Sequence, residues 1–431
     1  MKTKTLLTLL LLFVCLSNYA QTAFQKPYGD SMNQVGYAVK QCYDGGYIAT
    51  GFTSPFSGAY NVYLVRTNAS GDTLWTRSFG GDQMVGFDVI QTADSNFVLS
   101  GYKGSGGNFL LKKVDASGNS LWTKTLGAGW GQAVQETFNG ELIIAGDRLK
   151  KTDANGNLIW TKYPGGGQLM YIIQSADSNY VMSGFGGGNI SLIKTDTAGT
   201  TLWTKTFPGY LINASNNNIA QTTDGGYILA GMNSSGGLLI KTDMNGDTLW
   251  TKVYPSFDAY AVVQTSDGGY AIAGSTLFQM LLLKTDAMGI IESVNTYGGS
   301  GDEYAKSLQQ TSDNGFILTG GTTSFPGLSN LFLVKTDTLL NNVGLHELTA
   351  STEMLVYPNP FSSAATISLG TAIQHAQLII YNAFGEEVKT FSDLSSKELR
   401  INKDNLPNGI YFIRLIRNNK VMGVQKLIIV D

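Results

Sequence analysis

One motif occurs seven times along the chain, about every 45 residues, and this repetition constrains the fold more than any other feature of the sequence. The clearest copies contain Gln-Thr-x-Asp, then a glycine and an aromatic residue, and run over Gln221–Gly231, Gln264–Gly274 and Gln310–Gly320. Looser copies are Gln41–Gly51, Gln91–Gly101, Glu136–Gly146 and Gln174–Gly184. Their closing glycines are 50, 45, 38, 47, 43 and 46 residues apart, which is longer than most solenoid repeats.

Each copy continues in the same way. An apolar run ends near Lys-Thr-Asp, as in Leu238–Asp243, and after a turn the sequence Leu-Trp-Thr-Lys follows, as in Leu249–Lys252. Short runs of β-branched and aromatic residues between turn signals indicate strands, and Asp224-Gly225 is a tight-hairpin dipeptide. Four strands in this length are typical of one β-propeller blade. The sequence therefore predicts an all-β chain with a seven-bladed β-propeller of four-stranded blades over residues 21–344.

The two ends of the repeated region predict a closed ring. A tryptophan marks the outer strand of five successive units, at Trp75, Trp122, Trp160, Trp203 and Trp250. Ser293 takes this place in the sixth unit, and the seventh stops before it. The missing strand lies at the other end, because Phe24–Gly29 aligns with Trp75–Gly80. We expect this N-terminal strand to complete the last blade and leave no open sheet edge.

Composition and charge exclude several classes of function. The net charge is −3, which argues against nucleic-acid or anionic-membrane partners. Both histidines, His346 and His375, lie in the last fifth of the chain, so a histidine triad or zinc site in the propeller is excluded. In turns such as Asp243–Asp247 the glycine follows the first Asp by three residues, not by the five of a calcium loop. We predict no metal, no cofactor and a monomer.

The first twenty residues have the pattern of a secretory signal peptide. Lys2 and Lys4 precede the apolar run 6–16, which is too short to span a bilayer, and cleavage is predicted between Ala20 and Gln21. Cleavage would remove Cys15 and leave Cys42 alone, so no internal disulfide is expected, and Cys42 is predicted to be a buried thiol. The mature chain is predicted to have no transmembrane segment.

A second domain follows a short polar linker at residues 345–353. Between residues 354 and 431 about seven short alternating segments predict a small Ig-like β-sandwich. Its motifs are Tyr357-Pro358-Asn359-Pro360 at the start, 380–385 with Gly385 in the middle, 406–412 with Gly409 and Tyr411, and a final strand from Lys426 to Val430. An ordinary accessory sandwich that binds a ligand is the alternative interpretation.

These motifs resemble the type A C-terminal sorting domain of the type IX secretion system. The repeats resemble those of secreted bacterial β-propellers. The first resemblance implies export through the periplasm of a Gram-negative cell and across the outer membrane, with the secretion machinery as partner. In that family a surface protease usually removes the domain, and the passenger is released or joined to a surface lipopolysaccharide.

The variable connections at one end of the strands are the place where we expect a binding site, because the hairpins at the other end are nearly constant. Aromatic residues outside the repeat pattern gather there, and the candidate ligand rim consists of Phe56, Tyr102, Trp130, Tyr210, Phe257, Tyr260 and Phe325, with Tyr60 beside them. Exposed rings suit sugars or partner side chains. Rings of this kind more often plug a channel mouth or pack between blades.

The repeated glutamines have two interpretations. They lie at the ends of the predicted inner strands, at Gln41, Gln91, Gln174, Gln221, Gln264 and Gln310, with Glu136 in the third unit. One interpretation is contact with polar groups of a ligand in the channel, but their regularity favours a structural hydrogen bond to neighbouring backbone.

No catalytic residue is predicted. The propeller has three arginines, too few for the arginine cluster of a sialidase, and its carboxylates outside the repeat pattern (Asp82, Asp88, Asp147, Asp258, Asp302 and Glu303) form no evident glycosidase pair. The sequence therefore favours a non-catalytic binding or adhesion module, secreted or at the cell surface, for a glycan or a protein. A secreted carbohydrate-active hydrolase or lyase and a passive structural surface component remain the alternatives.

Overall fold

The computed structural model describes residues 23–55, 58–81, 83–208, 218–276, 278–326, 328–341, 354–369, 374–382, 387–417 and 420–431. The predicted signal peptide with its Ala20–Gln21 cleavage site, the predicted linker, and Phe56, Tyr210 and Gly385 lie outside these residues. The described residues form 35 strands and no helix, and therefore none that could cross a membrane. The chain divides into two compact units after Gly344.

The first unit contains seven sheets of four strands each, counted over the described residues. Blade 1 comprises β2 Asn33–Gln41, β3 Tyr47–Ser54, β4 Asn61–Thr67 and β5 Thr73–Phe79. Blade 2 comprises β6 Met84–Gln91, β7 Phe97–Lys103, β8 Asn108–Val114 and β9 Ser120–Ala128. Blade 3 comprises β10 Gly131–Glu136, β11 Leu142–Gly146, β12 Leu149–Thr152 and β13 Leu158–Lys162. Blade 4 comprises β14 Gln168–Gln174, β15 Tyr180–Gly186, β16 Asn189–Thr195 and β17 Thr201–Pro208.

The remaining blades have the same order of strands. Blade 5 comprises β18 Ile219–Gln221, β19 Tyr227–Asn233, β20 Gly236–Thr242 and β21 Thr248–Tyr254. Blade 6 comprises β22 Asp258–Gln264, β23 Tyr270–Ser275, β24 Met280–Thr285 and β25 Ile291–Tyr297. Blade 7 comprises β26 Glu303–Gln310, β27 Phe316–Thr322, β28 Asn330–Thr336 and, as its outer strand, β1 Phe24–Tyr28. The all-β, seven-bladed prediction is confirmed.

The N-terminal strand closes the ring as predicted. β1 pairs antiparallel with β28, with Phe24 opposite Lys335 and Tyr28 opposite Leu331. Phe24 is 4% exposed and belongs to a core shared by blades 7 and 1, where its ring lies 5.9 Å from that of Tyr47. The first and last parts of the repeated region therefore form one sheet.

A ring of hydrogen bonds joins each blade to the next at the constant end. In every blade the carboxamide or carboxylate oxygen at the end of the inner strand accepts a backbone N–H from the first hairpin of the preceding blade, at 2.8–2.9 Å. The donor–acceptor pairs are Tyr43–Gln91, Ala93–Glu136, Phe138–Gln174, Ala176–Gln221, Thr223–Gln264, Ser266–Gln310 and Ser312–Gln41. The structural interpretation of these side chains is confirmed.

An ion pair is repeated within every blade. The basic side chain near the end of the third strand pairs with the acidic residue of the first hairpin at 2.5–2.9 Å, and the basic member is the more buried of the two. The seven pairs are Arg66–Asp44, Lys113–Asp94, Lys151–Glu141, Lys194–Asp177, Lys241–Asp224, Lys284–Asp267 and Lys335–Asp313. This pair gives a structural role to the Asp of the repeated motif.

The second hairpin of a blade is stabilised by hydrogen bonds within the turn itself. In the turn at Asp243 the carboxylate accepts the N–H groups of Asn245 and Asp247, at 2.9 and 2.8 Å. Gly246 has a positive φ of 79° and packs against Trp203 of the preceding blade, where a Cβ would lie 2.9 Å from the indole ring. The tryptophan of one outer strand thus packs against the hairpin of the next blade.

Cys42 is a buried free thiol, as the sequence predicts.

The second unit is a β-sandwich of seven described strands. One sheet contains β29 Met354–Tyr357, β30 Ala364–Leu369 and β33 Glu398–Asn402. The other contains β31 Ala376–Asn382, β32 Glu387–Leu394, β34 Gly409–Arg417 and β35 Lys420–Ile429. Both sheets contribute to one core, which includes Ile367, Ile380, Ile413 and Leu427.

The Tyr-Pro-Asn-Pro segment binds to the final strand. The Asn359 amide nitrogen donates to the Lys426 carbonyl at 2.8 Å, and the Asn359 oxygen accepts the Ile428 N–H at 2.8 Å. Tyr357 donates to Glu398 at 3.2 Å, and Tyr411 donates to the Pro407 carbonyl at 2.7 Å. The first motif of this unit is therefore hydrogen-bonded to its final strand through the Asn359 side chain.

Candidate functional site at the channel mouth

The inner strands bring unrelated side chains to the variable end of the propeller channel. In six blades the inner strand has a β-bulge at the same place, four residues before the terminal glutamine or glutamate. The extra residue of a bulge is left out of the pairing, and its side chain can be re-aimed. The residues at this position are Tyr37, Phe87, Gln132, Met170, Tyr260 and Lys306.

Blades 1 to 3 build a continuous surface of aromatic rings, here called the aromatic wall, which consists of Tyr37, Phe52, Tyr60, Phe87, Tyr102 and Trp130. Successive ring centres lie 5.0–6.2 Å apart, from Tyr60 through Phe52, Tyr37 and Phe87 to Trp130. Tyr102 and Trp130 are stacked, with centres 5.4 Å apart and planes inclined by 25°. Trp130 is 43% exposed and Tyr60 is 40% exposed, so the wall offers ring faces to solvent.

Local structure fixes the position of Trp130. Its backbone N–H donates to the Asp147 carboxylate at 3.1 Å, and the preceding Gly129 N–H donates to the Gly107 carbonyl at 2.9 Å. Gly107 has a φ of 63°, and a Cβ there would lie 2.4 Å from the indole nitrogen. A residue without a side chain is therefore required beside the indole.

The tyrosines Tyr37 and Tyr304 of the inner strands have raised pKa values. Burial, with the nearby hydroxyls of Tyr304, Tyr102 and Tyr60, raises the pKa of Tyr37 to about 12. Burial and the neighbouring Tyr260 raise the pKa of Tyr304 to about 12. These phenols are neutral hydrogen-bond donors at physiological pH.

A lysine lies at the same level as these hydroxyls. The Lys306 ammonium is 5.0 Å from the centre of the Tyr260 ring and 5.6 Å from that of Tyr304. Tyr260 donates to Asp258 at 3.3 Å and accepts a hydrogen bond from Ser275 at 3.3 Å. The mouth therefore combines ring faces, phenol donors and one ammonium group among its described side chains.

Deeper in the channel, side chains meet across it. The Lys40 ammonium of blade 1 donates to the Tyr171 hydroxyl of blade 4 at 3.3 Å. Asp88 of blade 2 accepts the N–H groups of Val89 and Val134 at 2.9 and 3.0 Å. Burial raises the pKa of Asp88 to about 6, although Lys40 and these N–H groups oppose the shift. These polar contacts therefore lie deeper in the channel than the aromatic wall.

The structure brings only part of the predicted rim together. Tyr102, Trp130 and Tyr60 meet in the aromatic wall, but three other predicted rim residues do not present exposed faces. Phe257 is 6% exposed and packs in the core between blades 5 and 6, in the space left by Gly237 and Gly274. It lines a polar cavity of about 660 Å³, with serines and asparagine as neighbours.

The rings of Tyr260 and Phe325 also pack against other parts of the protein. Tyr260 is 7% exposed because its hydroxyl is hydrogen-bonded and its ring faces Lys306. Phe325 is half-buried, and its ring packs 5.9 Å from Phe332 in the core of blade 7. Phe257 and Tyr260 are therefore buried and Phe325 is half-buried, as in the interpretation in which such rings pack within or between blades.

Sequence reasoning missed Tyr37, Phe52, Phe87, Tyr304 and Lys306. A usable signal exists for three of them, because each lies four residues before a repeat glutamine, a position that varies from copy to copy. Within an otherwise regular repeat, one variable position on the inner strand indicates a channel-lining residue. Tyr304 and Phe52 carry no comparable signal.

Three carboxylates outside the repeat pattern, those of Asp88, Asp147 and Glu303, accept hydrogen bonds from protein donors. Glu303 is 2% exposed and accepts hydrogen bonds from Thr322 and Ser324 at 2.7 and 2.5 Å. Asp147 accepts the Trp130 N–H and, at 3.3 Å, the Gln168 amide. Among the residues with described positions, no group of three or more potential metal ligands occurs.

Comparison with solved structures shows the propeller fold. The WD40 β-propeller domain of Doa1 has a TM-score of 0.51 at 16% identity, over 73% of this chain and 97% of that one. The RRP9 WD40 repeats have a TM-score of 0.51 at 11% identity, over 72% of this chain and 97% of that one.

A third structure is PorZ of Porphyromonas gingivalis, a surface component of the type IX secretion system, with a TM-score of 0.47 at 13% identity. The match covers 90% of this chain and spans 58% of the length of PorZ. No curated protein sequence matches the chain.

The C-terminal unit matches a protein family directly. Residues 355–430 match the secretion system C-terminal sorting domain, over nearly the whole of the described sandwich. Such a domain indicates export to the cell surface or secretion. Residues 355–430 of this chain are therefore similar in sequence to secretion system C-terminal sorting domains.

Proposed function

We propose that this protein is an exported β-propeller that binds a ligand at its aromatic channel mouth and does not transform it. The observation that carries the proposal is the exposed ring of Trp130, which stacks on the half-buried ring of Tyr102 within a wall of six rings. Flat aromatic faces beside polar donors suit the apolar faces and hydroxyl groups of sugar rings. A glycan is therefore the ligand class that we favour, and a protein is the alternative.

The hydrogen bonds that three carboxylates outside the repeat pattern accept support a non-catalytic role. A glycosidase needs one carboxyl group as acid and a second as base or nucleophile on either side of the scissile bond. Glu303, Asp147 and Asp88 instead accept hydrogen bonds from loop or backbone donors. Side chains held in this way position the mouth and are poorly placed to exchange protons with a substrate.

The sorting domain supports the location that we propose for this activity. We propose export through the periplasm and display or release outside the outer membrane. A chain lacking residues 354–431 should accumulate in the periplasm, whereas the full chain should appear at the surface or in the medium. Immunoblots of the fractions test this, and normal external levels of the truncated chain would refute the assigned route.

Binding is tested with a glycan array probed by the full mature chain. Trp130→Ala and Tyr102→Ala should each weaken binding of any positive glycan at least about tenfold, because stacking contacts at binding hot spots contribute 1–3 kcal/mol. Phe138→Ala is the matched control, since Phe138 is 70% exposed on the hairpin of the opposite end. Equal effects of all three substitutions, or no glycan bound at all, would contradict the proposal.

A further inference from the structure

Lys306 is a half-buried cation, and it forms no ion pair with a carboxylate in the described part of the chain. The repeated lysines of the third strands show the contrast, since Lys241 and Lys335 pair with aspartates at 2.8 and 2.9 Å. The Lys306 ammonium instead lies over the ring faces of Tyr260 and Tyr304. Cation–π contacts of this kind replace part of the lost hydration, but not an ion pair.

Its environment favours an anion. Burial lowers the pKa of Lys306, which means that the protein stabilises its charged form less well than water does. A carboxylate brought beside the ammonium would offset that loss, because an ion pair is stronger in a poorly hydrated site. The neighbouring Asp258 is engaged by the Tyr260 hydroxyl at 3.3 Å.

Lys306 belongs to the same mouth as the aromatic wall. Lys306 and Tyr37 occupy the same bulge position on the inner strands of the adjacent blades 7 and 1, and Tyr37 packs 5.3 Å from Phe87 in the wall. Phe87 in turn packs 6.2 Å from Trp130. A ligand that stacks on Trp130 and reaches Lys306 would therefore extend past the side chains of Phe87 and Tyr37 in blades 2 and 1.

We propose that the mouth binds an acidic oligosaccharide, whose sugar rings stack on the aromatic wall and whose carboxylate pairs with Lys306. This inference rests on the proposed function, because it assigns the ligand class at the same site. The tyrosine hydroxyls of Tyr37 and Tyr304 would donate to the ring hydroxyl or carboxylate oxygens of such a ligand.

The experiment compares acidic and neutral glycans on the full mature chain. The array carries uronic-acid and sialic-acid oligosaccharides, carboxyl-reduced counterparts of the uronic-acid set, and a poly-glutamate peptide. We expect acidic glycans to bind at least about tenfold more tightly than their reduced counterparts. Lys306→Met should remove that preference, and Lys306→Arg should retain most of it.

A matched control and a stability measurement separate binding from folding. Lys162→Met removes an exposed lysine of an outer strand and should change no affinity. Thermal unfolding of the Lys306→Met chain should occur near that of the parent, and its affinity for reduced glycans should be unchanged. Those two results together show that the site is intact.

The outcomes distinguish the two proposals. Binding of neutral glycans alone, or equal affinities before and after Lys306→Met, would overturn the acidic ligand and leave the glycan-binding function standing. Binding of poly-glutamate without any glycan would overturn both in favour of a protein ligand. Binding of no probe would also reject both.

Discussion

The backbone N–H of Ser312 donates to the side-chain oxygen of Gln41 at 2.8 Å, across the junction between blade 7 and blade 1. The other six blade junctions contain the same contact, but only this one joins residues 271 positions apart. The ring is therefore closed twice, by this hydrogen bond at the inner strands and by the pairing of β1 with β28 at the outer edge.

Substitution of Gln41 by Ala should destabilise the propeller by about 1–2 kcal/mol, because it leaves the Ser312 N–H without its protein acceptor. Urea unfolding followed by tryptophan fluorescence measures the change. Gln41→Glu is the control, since Glu136 occupies the equivalent place in blade 3 and accepts the Ala93 N–H at 2.8 Å. A Glu variant as unstable as the Ala variant would contradict the assigned role.

Phe24→Ala should lower the free energy of unfolding by about 3 kcal/mol, the usual cost of removing a buried phenylalanine. Phe24 is 4% exposed and packs against Tyr47 and Gly71 of blade 1, so its loss leaves a cavity at the closure. Leu74→Ala is the comparison: Leu74 also lies on an outer strand but is 56% exposed. It should cost less than about 0.5 kcal/mol. Equal losses would mean that β1 does not contribute to the core.

The repeated ion pairs predict a loss of stability in acid. Partial burial opposes ionisation of Asp224, but hydrogen bonds from Lys241, Thr222 and Gly226 outweigh it and lower its pKa to about 2. A lowered carboxyl pKa contributes stability that is complete above about pH 4 and is lost as the pH falls towards 2.

Asp224→Asn should therefore be less stable than the parent at pH 6, and the difference should vanish near pH 2. Urea unfolding at a series of pH values measures it. Asp247→Asn serves as control, because the Asp247–Lys205 pair is exposed and contributes little at any pH. A difference between Asp224→Asn and the parent that is constant with pH would contradict this account.

The fold could be predicted because its determinants lie within one repeat. The Asp-Gly hairpins, the strand periodicity and the outer tryptophan recur in each copy, and alignment of Phe24–Gly29 with Trp75–Gly80 located the closing strand. The glutamine contact could be predicted for the same reason: a side chain repeated at one position must serve an interaction that is also repeated.

The binding site was harder to predict because it depends on contacts between different copies. Trp130 and Phe257 both lie in connections between blades, yet Trp130 stacks on Tyr102, whereas Phe257 occupies space left by Gly237 and Gly274. Sequence periodicity does not specify which neighbouring blade offers that space. Lys306 likewise resembles any other strand lysine until the bulge directs it towards two tyrosine rings.

In the C-terminal unit, Asn359→Ala should loosen the final strand. Its side chain makes two hydrogen bonds to that strand, one to the Lys426 carbonyl and one from the Ile428 N–H. Their loss should speed hydrogen exchange at the Ile428 amide by about tenfold, which corresponds to about 1.4 kcal/mol. Tyr357→Phe removes only an exposed hydrogen bond to Glu398 and should leave that exchange unchanged.

Because Asn359 belongs to the sorting-domain match, reduced external levels of the Asn359→Ala chain with a normal propeller would link this contact to export. Unchanged exchange at Ile428 would show that the contact does not hold the strand.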